Sequence, residues 1–439
     1  MTEFKDKFII KGLGGKKNLK GKIAVSGAKN AVLPALASSI LFKDKFCISN
    51  VPDLKDVESI NALLEKLGAN IEKTGEKKYS VTTNKIKSTI LDKDISKKMR
   101  GSIALAGPIL ARFGKVSFPH PGGCVIGERP IDIYLESFKK IGAKIIEKDG
   151  VYILSIGKGK KLKGTEIFFP KISHVATETI MLAGVLAKGK TVLKNCALEP
   201  EIKDIADFLN SCGAKIKGAG TSTIEITGGG LLSAKGKVYK TLSDRIEAGS
   251  FLILGAVAGD DLEIRNCNPE HIRVLINTLK DSGVPITEGK NKIIIKKNGK
   301  LKNKDFKCVD IKTHEYPGFP TDLQSPMAIY LTQVSGERLL FETIFEGRLN
   351  YINDLVEMGA NITMWDPHRV MIRGPKQLRG RELVGPDIRA EFAFFIAAII
   401  AKGESVINNT RYIDRGYERI EEKLRDIGVN ITRIKNQES

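Results

Sequence analysis

A short phrase recurs six times along this chain: an apolar stretch, then a glycine, a small residue, any residue and an isoleucine. It reads Leu67-Gly68-Ala69-Asn70-Ile71, Ile141-Gly142-Ala143-Lys144-Ile145 and Cys212-Gly213-Ala214-Lys215-Ile216 in the first half. It returns as Ser282-Gly283-Val284-Pro285-Ile286, Met358-Gly359-Ala360-Asn361-Ile362 and Ile427-Gly428-Val429-Asn430-Ile431. The glycines are roughly 70 residues apart, and a repeat of that kind constrains the architecture more than any single element does.

Each copy has the same internal order. An apolar helical segment comes first, over about 34–42, 101–113, 175–187, 246–257, 323–333 and 391–402. A short strand follows, as at residues 45–48, 191–193, 262–264 and 405–407. Then comes an amphipathic helix that ends at the repeat glycine, where a left-handed C-terminal cap is expected. Residues 56–67 show the pattern, with Val57, Ile60, Leu63, Leu64 and Leu67 on one stripe. The alternation of Val151-Tyr152-Ile153-Leu154 beyond the glycine predicts paired strands. Each unit therefore reads β-α-β-α-β-β, an α/β class, and six units can pack as two clusters of three. The predicted domains are 21–240 and 241–439, the second joined by 1–20 through a strand around Phe8–Lys11. Pro34, Pro108 and Pro326 sit at matching offsets and are expected in helix first turns. That puts Lys29-Asn30 and Thr321-Asp322 at helix N-termini, where free N–H groups favour anions.

Composition narrows the class. The six cysteines (Cys47, Cys124, Cys196, Cys212, Cys267, Cys308) follow no metal-ligand or disulfide spacing. That pattern argues for a reducing cytoplasm and no structural zinc. The N-terminus carries acids where a signal peptide needs a basic region and an apolar run. The longest apolar run, Phe392 to Ala401, is about half of a membrane span, so a soluble protein without membrane partners is expected. The net charge of +20 raises nucleic acid as a partner. Yet the lysines are scattered in doublets such as Lys16-Lys17 and Lys77-Lys78, and Trp365 is the only tryptophan. A solvated lysine surface is the better reading.

Several short constellations carry chemistry. The stretch from Pro119 to Asp132 holds three glycines, three prolines and Cys124, followed by Arg129. It reads as a loop carrying a thiol beside a cation that favours its thiolate, or as a simple turn with a bystander cysteine. Ser26-Gly27-Ala28-Lys29-Asn30 is an anion cradle or a helix cap with a solvated lysine. Asp322 in Phe319-Pro320-Thr321-Asp322 is an N-cap or a base. Asp387-Ile388-Arg389 and Asp414-Arg415-Gly416-Tyr417-Glu418 set opposite charges side by side, whose plain reading is a surface ion pair. Asp244-Arg245-Ile246-Glu247 reads as a cap or a connection between domains.

Taken together, PGGCxIGxRPxD, SGAKN, FPTD, ETIFExR, DxR and IDRGYER make the chain resemble the UDP-N-acetylglucosamine 1-carboxyvinyltransferase family from about Gly21 to Arg433. The resemblance implies an enolpyruvyl transferase-like inside-out α/β barrel, with two similar domains of three units each and helix N-termini facing a cleft. It implies transfer of enolpyruvyl from phosphoenolpyruvate to the sugar 3-hydroxyl, with no metal and no cofactor. Cys124 matches the family's acid, which can also hold a covalent adduct, and Asp322 matches its general base. Lys29, Arg129 and Arg415 match phosphoenolpyruvate-binding residues, with Arg100 and Arg348 near, and Asp387 matches an acid of a later proton transfer. Asn30, Arg100, Arg129, Pro130, Ile131, Asp132 and Ile133 match positions that hold the sugar nucleotide. So do Lys171, Ile172, Ser173, His174, Asp322 and Ile344.

The chain departs from the family at His174-Val175, where some members carry a small apolar residue and a glycine, and at the bulkier Pro119-His120-Pro121. A β-branched residue at 175 restricts the loop expected to hold the diphosphate. The same-fold alternative is the shikimate-pathway enolpyruvyl transferase, from which the cysteine loop and the Lys171 region point away. A basic repeat scaffold on nucleic acid would account for the charge and the repeats but not for the thiol loop and the placed arginines. The sequence leaves oligomeric state undetermined.

Overall fold

The computed structural model describes residues 6–122, 129–296, 302–385 and 387–435, without the side chain of Arg389. Cys124 lies outside the described residues. All six repeat glycines adopt left-handed backbone, with φ of 104°, 100°, 108°, 104°, 102° and 95° from Gly68 to Gly428. They follow the amphipathic helices Lys55–Leu67, Asp132–Lys140, Pro200–Ser211, Arg273–Ser282, Ile352–Glu357 and Ile420–Asp426. A side chain at that φ is strained, so glycine ends each helix and turns the chain into the next strand. In the first of these helices the predicted stripe is the buried one: Ile60, Leu64 and Leu67 are fully enclosed.

The six apolar segments form core helices, here α1 (Lys29–Ser38), α2 (Ala106–Phe113), α3 (His174–Gly184), α4 (Arg245–Ala258), α5 (Gln324–Gln333) and α6 (Ile388–Ile400). Every residue of α4 and of α5 is buried, which is what a helix apolar on all sides requires. Pro108 and Pro326 stand in the first turns of α2 and α5, each after a 3-10 turn, Arg100–Leu105 and Thr321–Leu323. Pro34 differs from the sequence expectation: it lies inside α1, beyond the first turn. Its missing N–H leaves the Asn30 carbonyl without a helical donor.

Contacts divide the described chain into two compact units, 27–122 with 129–242, and 6–26 with 243–435. In the first unit α1, α2 and α3 pack together. The α2–α3 contact is so close that a Cβ on Gly107 would stand 2.1 Å from the Thr179 carbonyl oxygen. Around them lie three sheets. One runs Val238–Lys240, Phe46–Ser49, Lys78–Thr82, Asn70–Gly75, and another Glu166–Phe168, Lys190–Lys194, Thr223–Thr227, Ile216–Lys217. The third runs Lys115–Pro119, Val151–Ser155, Lys144–Lys148, and a lone parallel bridge of Ile90 to Ser117 stands for its missing edge strand.

The second unit repeats the plan with α4, α5 and α6 in mutual contact. Two of its sheets are Leu19–Ala24, Gly259–Arg265, Lys292–Ile295, Ile286–Gly289 and Ile311–Lys312, Gly336–Phe341, Arg369–Gly374, Asn361–Asp366. The third is Glu382–Val384, Glu404–Asn408, Asp6–Lys11, Asn430–Lys435. Here Asp6–Lys11, antiparallel to both neighbours, fills the place that a local hairpin strand fills in the other repeats.

One exchange departs from simple repetition. Leu19–Ala24, just ahead of α1, pairs in parallel with Gly259–Arg265, and Val238–Lys240, just ahead of α4, pairs in parallel with Phe46–Ser49. Among the described residues no helix is long and apolar enough to cross a membrane. The apolar run at Phe392–Ala401 is buried within and just beyond α6.

Candidate active site

In the second unit, three sequence phrases converge on one buried guanidinium. Arg348, 4% exposed, donates to Thr321 Oγ1 at 2.9 Å and to Asp322 Oδ1 at 2.9 Å. Burial alone would push its pKa down, but the carboxylates of Asp322, Asp387 and Glu342 more than offset that and raise it. Glu342, fully buried, accepts from Thr321 Oγ1 and Ile344 N at 2.8 Å and from Phe345 N at 3.1 Å. The Glu342 carboxylate therefore orders the turn that carries Ile344, and Arg348 fixes the Asp322 carboxylate on the 3-10 turn ahead of α5. Asp322 keeps a side chain 27% exposed, so it can still meet a ligand. It is a partner of Arg348, not a helix N-cap: Pro320 holds the cap position of that turn.

Asp387 precedes α6 and accepts from the Ala390 backbone N–H at 3.2 Å, and it is 4% exposed. Arg415 rides on the short helix Ile413–Gly416. That helix is bolted down by its neighbours in the motif. Asp414 takes both guanidinium arms of Arg433, at 2.9 and 2.5 Å, so its charge is matched by the last strand. Tyr417 stacks on Phe392 at 4.5 Å and meets Ser250 Oγ at 2.9 Å. Glu418 accepts from Ser26 Oγ. The IDRGYER phrase is thus mostly a mount for one half-buried arginine, and the surface-pair reading is set aside. Asp244 caps α4 by accepting from Ile246 and Glu247 N–H groups, which is the capping role its sequence suggested.

In the first unit, Lys29 opens α1, with Asn30 next to it. The Lys29 ammonium lies 3.7 Å from Asp56, and its side chain is 14% exposed. Arg100 donates to the Pro130 carbonyl at 3.1 Å, tying it to the segment Arg129, Pro130, Ile131, Asp132 and Ile133. Burial lowers the Arg100 pKa against the pull of Tyr134. Tyr134, buried on the helix Asp132–Lys140, has its phenol pushed up by burial and drawn down by Arg100 and by a hydrogen bond to Ser173. Tyr134 thus links Arg100 to the 171–174 segment. Lys171 is exposed and Ile172 half-buried. Ser173 is the N-cap of α3, accepting from Ala176 N at 3.3 Å. His174 begins α3, and its Nε2 lies 3.1 Å from Glu178 Oε1. Burial opposes its charge, but Glu178 and Glu199 outweigh it and raise its pKa to about 10, while burial raises that of Glu178 too.

The family model for EPSP synthase (3-phosphoshikimate 1-carboxyvinyltransferase) matches residues 13–424. The chain belongs to the enolpyruvyl transferase family. Proteins named UDP-N-acetylglucosamine 1-carboxyvinyltransferase are 40% identical in Koribacter versatilis, over 98% of this chain and 96% of that one. The protein of the same name from Halothermothrix orenii is 42% identical, covering 98% of this chain and all of that one. Among solved structures, the enolpyruvyl transferase NikO from Streptomyces tendae matches with a TM-score of 0.84 at 20% identity, covering 98% and 99% of the two chains. EPSP synthase from Acinetobacter baumannii matches with a TM-score of 0.72, also at 20% identity, over 98% of this chain. Those two structures establish the enolpyruvyl transferase fold for this chain.

Three residues of this enolpyruvyl transferase escaped sequence reasoning. Glu342 lies within the ETIFExR phrase, while Tyr134 and Glu391 belong to none of the phrases singled out. Glu391 is fully buried on α6, one turn after Asp387, and among the described residues its carboxyl oxygens find no partner at good hydrogen-bond geometry, the Ile413 backbone N–H being the donor that weighs on it. Burial first, and then the Asp414 carboxylate, push its pKa well above the usual range, with Asp387 adding and Arg433 opposing. The folded state therefore holds a proton that the unfolded chain releases above about pH 4.3, so stability falls as pH rises above that value. While the folded carboxyl stays protonated, the slope from this group is about 1.4 kcal/mol per pH unit. Glu391→Gln removes it. Urea melts across the mildly acid range are expected to show the variant gaining on the native protein with each pH unit, and parallel slopes would contradict a protonated Glu391.

Proposed function

We propose that this chain transfers the enolpyruvyl group of phosphoenolpyruvate to the 3-hydroxyl of UDP-N-acetylglucosamine, releasing phosphate, in the first committed step of peptidoglycan synthesis. The observation that carries this reading is the near-full-length identity of 40% to proteins of that name. The chemistry needs a proton for the methylene carbon, a base for the sugar hydroxyl and cations for a carboxylate and a phosphate. Cys124 is the proposed acid and Asp322 the proposed base, with Asp387 serving the later proton transfer. Lys29, Arg129 and Arg415 are the proposed phosphoenolpyruvate cations. Arg100, Asn30, the 129–133 segment, the 171–174 segment and Ile344 are the proposed sugar-nucleotide contacts.

The unit-two geometry supports this division of labour. Asp322 is held by one buried arginine and still reaches solvent, as a base that must meet a substrate hydroxyl should. Ile344 presents its backbone from a turn ordered by Glu342. In the other unit, Ser173 uses its side chain to cap α3, which leaves the 171–174 backbone as the contact surface for a diphosphate. The described cysteines are all free thiols, which fits a reducing, cytoplasmic setting.

The test is phosphate release from phosphoenolpyruvate with each acceptor in turn. Turnover with UDP-N-acetylglucosamine and none with 3-phosphoshikimate is the expected result. Turnover with 3-phosphoshikimate alone would assign the shikimate-pathway reaction instead. Release with neither acceptor would remove the transferase reading.

A further inference from the structure

The second unit contains a cavity of about 530 Å3 that none of the described candidate catalytic residues lines. Four of its lining residues are lysines, Lys16, Lys17, Lys296 and Lys302, set against an apolar wall that includes Val284, Pro285 and Phe306. Its one acid, Asp260, is paired with Lys20 at 3.1 Å, so its charge is largely matched from outside the lysine set. The size suits a small molecule, and the lysines suit an anion. We propose that this cavity is a lysine-acylation site in which Lys17 reacts with small anionic acyl donors of the acyl phosphate class.

Lys17 differs from the other three because its amine is held. Nζ donates to the Ala256 carbonyl at 3.1 Å and lies 4.2 Å from the centre of the Phe306 ring. Lys16, Lys296 and Lys302 are exposed, whereas Lys17 is half-buried. Burial lowers the Lys17 pKa to about 8, with Asp305 opposing. At pH 7 roughly a tenth of this amine is unprotonated, whereas an ordinary lysine near about 10.4 is almost wholly charged. In the reaction the Lys17 lone pair attacks the acyl carbon and a nitrogen–carbon bond forms. The carbon–oxygen bond to phosphate breaks, and phosphate leaves with the electron pair and takes the amine proton. The surrounding ammonium groups attract the donor and stabilise the leaving phosphate. Nothing in this step depends on the transferase reaction.

The experiment incubates the full chain with acetyl phosphate at pH 7.5 and follows each lysine by peptide mass spectrometry. Lys17 is expected to label at least about tenfold faster than the exposed Lys78, with its rate levelling above about pH 8 while that of Lys78 keeps rising. Added inorganic phosphate should slow Lys17 more than Lys78, because it competes for the cavity. Combined Lys16→Gln, Lys296→Gln and Lys302→Gln should abolish that difference in phosphate sensitivity while Lys17 remains. Labelling of Lys17 no faster than Lys78 overturns the site. Fast labelling that phosphate does not slow selectively overturns the anionic donor. Phosphate-release activity, measured on the same samples, separates a failure here from a failure of the proposed transferase function.

Discussion

Asp322→Asn is expected to lower kcat by about 10²–10⁴-fold, the range for losing a positioned acid or base. The substitution is chosen for what it leaves alone. An asparagine Oδ1 can still accept from Arg348 at the 2.9 Å contact, so the buried guanidinium keeps a hydrogen-bond partner. Stability and the KM for the sugar nucleotide are therefore expected to change far less than kcat. Steady-state kinetics together with urea melts distinguish the two outcomes. If Asp322→Asn turns over at a near-normal rate, the carboxylate serves only to anchor Arg348, and the base must be sought elsewhere.

The second large effect is expected on stability. Arg348→Ala removes the cation that acts on Asp322, Asp387 and Glu342, of which Asp387 and Glu342 are buried. Breaking a buried pair from one side costs about 3–5 kcal/mol, because the desolvated partner is left uncompensated. Activity should fall with it, since Asp322 loses its Arg348 anchor beside a turn ordered by Glu342. A double-mutant cycle separates the causes. In an Asp322→Asn background, Arg348→Ala should cost less by about 0.5–3 kcal/mol, the usual coupling of residues in direct contact. Simple additivity would mean that the Asp322–Arg348 contact contributes nothing of its own. Both expectations concern side chains within a single unit.

The repeat architecture was legible because it is written in local chemistry. A glycine is required wherever a helix ends in left-handed backbone, and all six glycines with φ near 100° occupy that position. An amphipathic helix needs a stripe, and Val57 to Leu67 shows it; a fully buried helix needs none, and α4 and α5 are buried on every side. The candidate residues were legible for a related reason. Tight turns beside functional groups concentrate glycine, proline and charge in short, specific phrases such as FPTD and SGAKN.

What the sequence could not tell was pairing at a distance. Leu19–Ala24 could have joined the sheet of the repeat it precedes, yet its parallel partner is Gly259–Arg265. Parallel pairing has no local turn to announce it, so the choice rests on which edge buries the strand. The same holds for charge. Asp414 beside Arg415 suggested a pair, but the tertiary partner of Asp414 is Arg433. Asp322 suggested a cap, but its partner is Arg348, brought there from a different strand connection. By itself the sequence determined the repeat units and the glycines that end their amphipathic helices, because these obey short-range steric and hydrophobic periods. Only the tertiary structure decided which strands exchange and which charges neutralise one another. Those choices are set by burial, which also pushes the Glu391 carboxyl pKa well above its usual range, and no neighbour in sequence reveals it.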